Sequence, residues 1–334
     1  MRSLRLLPAA VAALGWVGGA ALADEPVKVR IAWVVPIANW ASIIYEKKDL
    51  MTHYGKSYVA EPMRFQSTPT MITALGAGEL EIADLAYSSF AIAVVNAGMT
   101  DLRIIGDEAR DGYGDYYSGQ YFVLKSGPKT IDDLKGKVLA TVGAGAAIDI
   151  PVRAIMRKHG LEAPRDYTMI EAAFPNMPSM LLDHKVDFIP SVPPFSLNPQ
   201  LGTDARVLFT VKDALDGSTE FIIWAAHNDF LQKHRAAMVD LMEDAVRAAH
   251  FFTDPKNHDE VVQIAAKIIK QPPEKVGYAF TKADDYHDPN MRPDLDSFQR
   301  AIDIQQQTGF LKDKLDAKKY ADPSILEEAI KRIK

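Results

Sequence analysis

The sequence predicts two α/β lobes joined by two crossovers, with a ligand cleft between them. Three observations carry this expectation. Strand-length apolar runs alternate with helix-period segments, and the alternation restarts near Val123–Ser126. The second run closes on an apolar strand, Glu220–Ala226, that reads as a return to the first lobe. Beyond it the chain is helical, with Met238, Leu241, Met242, Ala245 and Val246, then Val261, Ile264, Ala265 and Ile268, at helical spacing. The expected division is 24–122 plus 222–334 for one lobe and 123–221 for the other.

The first 23 residues differ in kind from the rest. Arg2 and Arg5 form a basic start, Leu6–Val17 an apolar centre, and Ala21-Leu22-Ala23 a cleavage signal. The apolar run is short and broken by Pro8, which favours a cleaved signal peptide over a membrane anchor. A periplasmic, monomeric protein is therefore expected. Cleavage removes two arginines and takes the net charge from −6 to −8, a poor match for nucleic acid or an anionic membrane surface. The absence of cysteine excludes disulfides, thiolate metal sites, thiol nucleophiles and a lipidated N-terminal cysteine.

Along the mature chain, Val27, Val29, Ile31 and Trp33 alternate into a first strand. Asn39 is placed to cap a helix carrying Ile43, Ile44 and Leu50. Tyr58–Phe65 reads as a second strand, ending in the polar turn Gln66-Ser67-Thr68-Pro69. A helix with Met71, Ile72 and Leu75 follows and stops at Gly76 and Gly78. The strand Ile82–Tyr87 leads to Ser88-Ser89, read as caps of a second helix. Leu102–Gly106 is a strand, and Asp107–Gly119 reads as a long polar loop.

In the second run, Gly143-Ala144-Gly145-Ala146-Ala147 separates the strand Val138–Val142 from the helix Ile148–His159. It partly matches a dinucleotide fingerprint, but Ile148 replaces the third glycine and no ribose acid is paired with it. It reads instead as a helix N-terminus open to an anion, and no cofactor is expected. Thr168–Ala172, Val186–Ile189 and Arg206–Val211 are further strands, with Asn176 and Phe195 in the loops that follow the first two.

Enzyme signatures are missing. None of the eight histidines forms a metal-ligand pair, and no nucleophile elbow occurs. The acidic pairs Asp132-Asp133 and Asp284-Asp285 read as solvated.

The run Leu75–Asp84, LGAGELEIAD, resembles a signature of periplasmic solute-binding proteins of the taurine, alkanesulfonate, nitrate and thiamine-pyrimidine branch. Ile131–Val138, IDDLKGKV, is similar to the entry into their second domain, and Glu220–Ala226 followed by Asp229–His234 to their return segment. The resemblance spans most of the mature chain. It implies a type II periplasmic-binding-protein fold, a non-enzymatic receptor, and an ABC permease of the inner membrane as partner. Many such proteins carry a tryptophan in the segment matching Ser191–Phe195, where this chain has Phe195. A ligand is therefore not transferable from any one of them. The alternatives are a receptor for a thiamine-pyrimidine-type ligand and a small-acid-processing enzyme of related fold. Cysteine-dependent pyrimidine synthases are excluded by composition.

The expected pocket is built from loop ends: Asn39, Trp40, Gln66, Ser67, Thr68, Tyr87, Ser88 and Ser89 from one lobe, and Gly145, Ala146, Ala147, Asn176 and Phe195 from the other. Hydroxyls, amides and helix N-termini there suit a small organic anion, a carboxylate or sulfonate, with Arg64, Arg110 and Arg153 as the candidates for adding a full charge. Trp40, Tyr87, Phe90, Phe174, Phe195 and Trp224 near loop ends suit a flat or aromatic body.

Overall fold

A computed structural model describes residues 25–333. The expected signal peptide lies outside the described residues. Strands β1 (Val27–Trp33), β2 (Tyr58–Arg64), β3 (Ile82–Ala86) and β4 (Leu102–Asp111) belong to a first five-stranded sheet. Strands β5 (Gln120–Leu124), β6 (Val138–Thr141), β7 (Thr168–Glu171), β8 (Phe188–Ser191) and β9 (Ala205–Thr210) form a second. β10 (Thr219–His227) returns to the first sheet, between β3 and β4. The strand orders are β2-β1-β3-β10-β4 and β7-β6-β8-β5-β9. In each sheet one strand runs antiparallel to both neighbours, β10 in the first and β5 in the second. Each is the first strand after a passage between the sheets, so the expected pair of crossovers is present.

Their positions differ from expectation. The chain leaves the first sheet through 112–119 and returns through 211–218, whereas the restart was expected at Val123–Ser126. That segment begins inside β5, which already belongs to the second sheet. The expected loop Asp107–Gly119 is shorter than predicted, because Asp107–Asp111 continue β4. Its charged sequence is accommodated by specific partners. Glu108 accepts the Trp40 N–H, Arg110 pairs with Glu220, and Asp111 accepts the Gly119 N–H at 2.6 Å.

Helices α1 (Thr68–Gly76) and α2 (Tyr87–Ala91) follow β2 and β3. In the second layer, α3 (Asp149–Lys158) follows β6, α4 (Met177–Leu182) follows β7, and α5 (Pro199–Asp204) and α6 (Val211–Ala214) flank β9. The helix expected after Asn39 is replaced by three single turns, Trp40–Ser42, Ile44–Glu46 and Lys48–Leu50. Asn39 does not cap a helix. Its Oδ1 turns back to accept the Val34 and Val35 N–H groups at 3.0 and 2.7 Å.

The C-terminal helices are α7 (Asn228–Lys233), α8 (Arg235–Thr253), α9 (His258–Ile269), α10 (Leu295–Gln307) and α11 (Ser324–Arg332). Asp244 of α8 accepts from Thr52 N–H, His53 N–H and the Tyr58 hydroxyl, tying this layer to β2. α10 packs against both α2 and α3 and so bridges the two sheets. One apolar cluster is continuous across the sheets, joining Leu85 and Phe90 to Tyr121 and Phe188. A second, around Trp40, Trp224 and Phe252, lies under the C-terminal helices. Each fully buried aromatic of this kind contributes about 1.5–3 kcal/mol.

Candidate functional site: a cavity between the sheets

The carboxyl ends of the parallel strands in both sheets converge on one cavity of about 60 Å³. After β1 come Val34, Val35, Ala38 and Asn39; after β2, Ser67 and Thr68. The second sheet contributes Val142, Ala146, Ala147 and Ile148 after β6, Phe174 after β7 and Val192 after β8. Phe221 and Ile222 of β10, Ala109 of β4, Asp84 of β3 and Asp285 complete the wall. Val34 and Phe174 also line an adjoining outer chamber of about 300 Å³ that includes Arg64, Gln66 and Phe195. The arrangement follows the general rule that open α/β sheets bind ligands beyond their strand ends.

Of the expected site residues, Asn39, Ser67, Thr68, Ala146 and Ala147 meet at the inner cavity, and Gln66 and Phe195 at the outer chamber. The others are placed differently. Trp40 is fully buried, stacked on Phe280 at 5.5 Å and against His287 at 4.7 Å. Tyr87 is buried and its hydroxyl donates to the Ala147 carbonyl at 3.1 Å, a bond between the two layers rather than a cavity wall. Ser88 and Ser89 sit inside the first turn of α2 instead of capping it, because the helix starts at Tyr87. Ser89 shares a 2.7 Å hydrogen bond with Thr68, and the Ser88 carbonyl accepts from Gln305. Asn176 is exposed, and its carbonyl accepts from Ser179.

The helix N-terminus after β6 is not open to an anion as expected. Asp149, the first residue of α3, accepts the Gly145 N–H at 2.7 Å and the Arg153 Nε at 2.8 Å, so the chain supplies its own carboxylate there. The Gly145 φ of +78° lets that turn form. The three arginines also separate. Arg110 is held by Glu220 at 2.9 Å and Asp107 at 3.4 Å, and Arg153 by Asp149. Arg64 stands over the Trp33 ring at 5.5 Å and lines the outer chamber.

Sequence reasoning missed the acids. Asp84 is fully buried, and neither carboxyl oxygen has a partner at hydrogen-bonding geometry. Burial pushes its carboxyl well above the usual range. Glu108 is raised by burial first and then by the charge of Asp84, so the two carboxyls titrate together. Asp285, expected in solvent, lines the cavity and is raised by burial and then by Asp111 and Asp284. Asp284, also expected in solvent, is buried, accepts from Phe280 N–H and Asp285 N–H, and is pushed up to about 7 by burial. An aspartate inside the apolar strand Ile82–Ala86 was the available signal, since an acid is almost never fully buried without a reason.

Away from the cavity, His53, Asp240 and Glu243 lie close enough to hold a cation. Arg332 and Arg247 already pair with these two carboxylates, at 2.9 and 2.5 Å.

Residues 22–266 match the NMT1-like family. The chain belongs to that family. No curated protein matches its sequence. Solved structures extend the likeness in fold. The NMT1-like chain aligns with the alkanesulfonate-binding protein SsuA from Xanthomonas axonopodis pv. citri over 90% of its length and 100% of that chain, at 17% identity and a TM-score of 0.70. The periplasmic nitrate-binding protein NrtA from Synechocystis PCC 6803 gives 93% and 90% coverage, 15% identity and a TM-score of 0.69. The desulfurization enzyme DSZB gives 92% and 100%, 14% identity and 0.63. The fold is that of the periplasmic binding proteins, and an enzyme shares it.

Proposed function

We propose that this NMT1-like protein is an extracytoplasmic receptor that captures a small organic solute and delivers it to an ABC importer. The observation that carries the reading is the small, largely apolar cavity built by strand ends of both sheets. A ligand seated there touches both layers, so opening and closing about 112–119 and 211–218 reports occupancy to a permease. On this reading one lobe comprises 25–111 with 219–333, and the other 120–210. The periplasmic address rests on the N-terminal signal pattern of residues 1–23. Among the described residues no helix is long and apolar enough to cross a membrane.

The solute has a flat apolar body held among Val34, Phe174, Val192 and Phe221, with its carboxylate or sulfonate turned to Arg64 in the outer chamber. The stacked rings of Phe174 and Phe195, 5.9 Å apart and 6° from parallel, make the flat surface between the two chambers. The fold relatives whose names specify sulfonate and nitrate binding agree with an acidic group.

The test is a thermal-shift panel of benzoates, alkanesulfonates, nitrate, pyrimidines and sugars on wild type and Arg64→Ala. Ligand at about a thousand times its dissociation constant stabilises by about 4 kcal/mol, a shift on the order of 10 °C at this size. Acids that lose their shift in Arg64→Ala support the reading; shifts with sugars alone refute the acidic group.

An enzyme remains the second reading, because paired buried carboxyls such as Asp84 and Glu108 are what acid–base chemistry uses. Turnover of any stabilising ligand, followed by mass spectrometry, decides for it.

A further inference from the structure

Among the described residues, the inner cavity offers a simple anion acceptors and no cation. Asp84 is fully buried at its wall with both carboxyl oxygens unpartnered. Asp285 lines the same space. Of the other polar side chains of the wall, Asn39 Oδ1 is engaged by two backbone N–H groups and the Thr68 hydroxyl by Ser89, while Ser67 makes no cap bond. Among the described residues no lysine or arginine lines this cavity.

Two neighbours favour the ionised form of Asp84, the Glu108 carboxyl and the Trp224 indole N–H, yet neither reaches it at hydrogen-bonding geometry. Asp84 stands opposite Trp224 in the β3–β10 register and beside Glu108. One oxygen of Glu108 accepts the Trp40 N–H, and the other has no partner. A protonated carboxyl still offers its carbonyl oxygen, so the pair presents an acceptor in either protonation state. Arg110, the nearest arginine along β4, is bound to Glu220 and the Arg292 carbonyl. Leaving a buried acceptor without a donor is costly, and bringing an anion beside it is costlier. A solute that arrives with N–H donors removes both penalties.

Building on the receptor reading, we propose that the solute carries an amine or amidine at the end that enters the inner cavity, with Asp84 and Asp285 as its acceptors. The acidic group of the same solute then faces outward to Arg64. The preferred ligand class is a small amino acid-like zwitterion with separated charges, or an aminated ring bearing an acid. A plain sulfonate or nitrate lacks the donors.

The experiment uses the purified chain and matched probes that differ by one group: 4-(aminomethyl)benzoate against 4-methylbenzoate, and 5-aminopentanoate against pentanoate. Thermal shift and calorimetry are run on wild type, Asp84→Asn and Asp285→Asn. The expected result is tighter binding of the aminated member of at least one pair by about tenfold or more, as for a charge-assisted hydrogen bond, with that preference lost in Asp285→Asn. Should Asp84→Asn fail to fold, the Asp285→Asn comparison still decides. Equal or tighter binding of the acids without nitrogen overturns the amine while leaving the receptor reading standing. No shift with any probe here and none across the wider panel overturns both.

Discussion

Asn39 serves two purposes with one side chain. Its Oδ1 accepts the Val34 and Val35 N–H groups, fixing the turn after β1, and the same residue lines the cavity. Asn39→Ala should cost about 1–3 kcal/mol in urea denaturation, because two backbone donors lose their acceptor, whereas Asn39→Asp keeps it. The serines divide differently. Ser67 lines the cavity and its side chain makes no cap bond, so Ser67→Ala should weaken ligand binding with little change in stability. Ser88 is buried away from the cavity, so Ser88→Ala should leave affinity unchanged. Equal affinity losses in calorimetry of both mutants would contradict this placement. Polar loop ends such as Ser67, Thr68 and Asn39 were legible because hydroxyls and amides cluster where strands give way to helices. Asp84 was not, since its place in an apolar strand made it look like part of a motif rather than part of a wall. Asp285 was hidden for the opposite reason, as a neighbouring acid made the pair look solvated.

Elements were legible where burial and period agree. The all-buried β3 and the helices α8 and α9 follow their apolar patterns. β4 was cut short in the sequence reading because Asp107, Glu108, Arg110 and Asp111 are charged. Each is nevertheless buried: Asp107 meets the Asp288 N–H, Glu108 the Trp40 N–H and Arg110 Glu220, all distant in sequence, while Asp111 meets the nearer Gly119 N–H. Such pairing over long separations leaves no periodic trace. The turn into α3 makes a prediction at this scale. Gly145 has φ +78°, and a Cβ there would meet Ile92 Cδ1 at 2.7 Å. Gly145→Ala should therefore lose the backbone preference of about 1 kcal/mol and an additional steric cost. Gly98 is the control, with φ +74° and nothing within 4 Å of its Cβ position, so Gly98→Ala should lose the backbone part alone. Equal denaturation midpoints for the two mutants would show that Ile92 yields freely.

The alternation of strands and helices revealed two sheets, but the passage between them was misplaced because β5 looks like any other strand until its partners are known. Placing that passage at 112–119 also shows how many acids the molecule buries around it. Asp107 is pushed up to about 6 by burial, and Asp111 and Asp284 to about 7 by the same cause. Asp84, Glu108, Glu220 and Asp285 are raised too, each chiefly by burial. An acid whose folded pKa lies above its unfolded value of about 4 keeps its proton longer when folded. The folded state then binds more protons than the unfolded chain, so stability falls as pH rises from about 4 through about 7. His287 opposes this, since burial lowers it to about 4, and its neutral form stabilises the fold increasingly up to about pH 6.5. One histidine offsets about one carboxyl and leaves the others uncompensated. The melting temperature should therefore be higher near pH 5 than near pH 7.5, and Asp284→Asn should flatten the difference. Melting followed by circular dichroism across that range checks it. A melting temperature that climbs steadily from pH 5 to 7.5 would mean the acids are solvated or paired in solution, and the argument from unpartnered acceptors in the inner cavity would weaken with it.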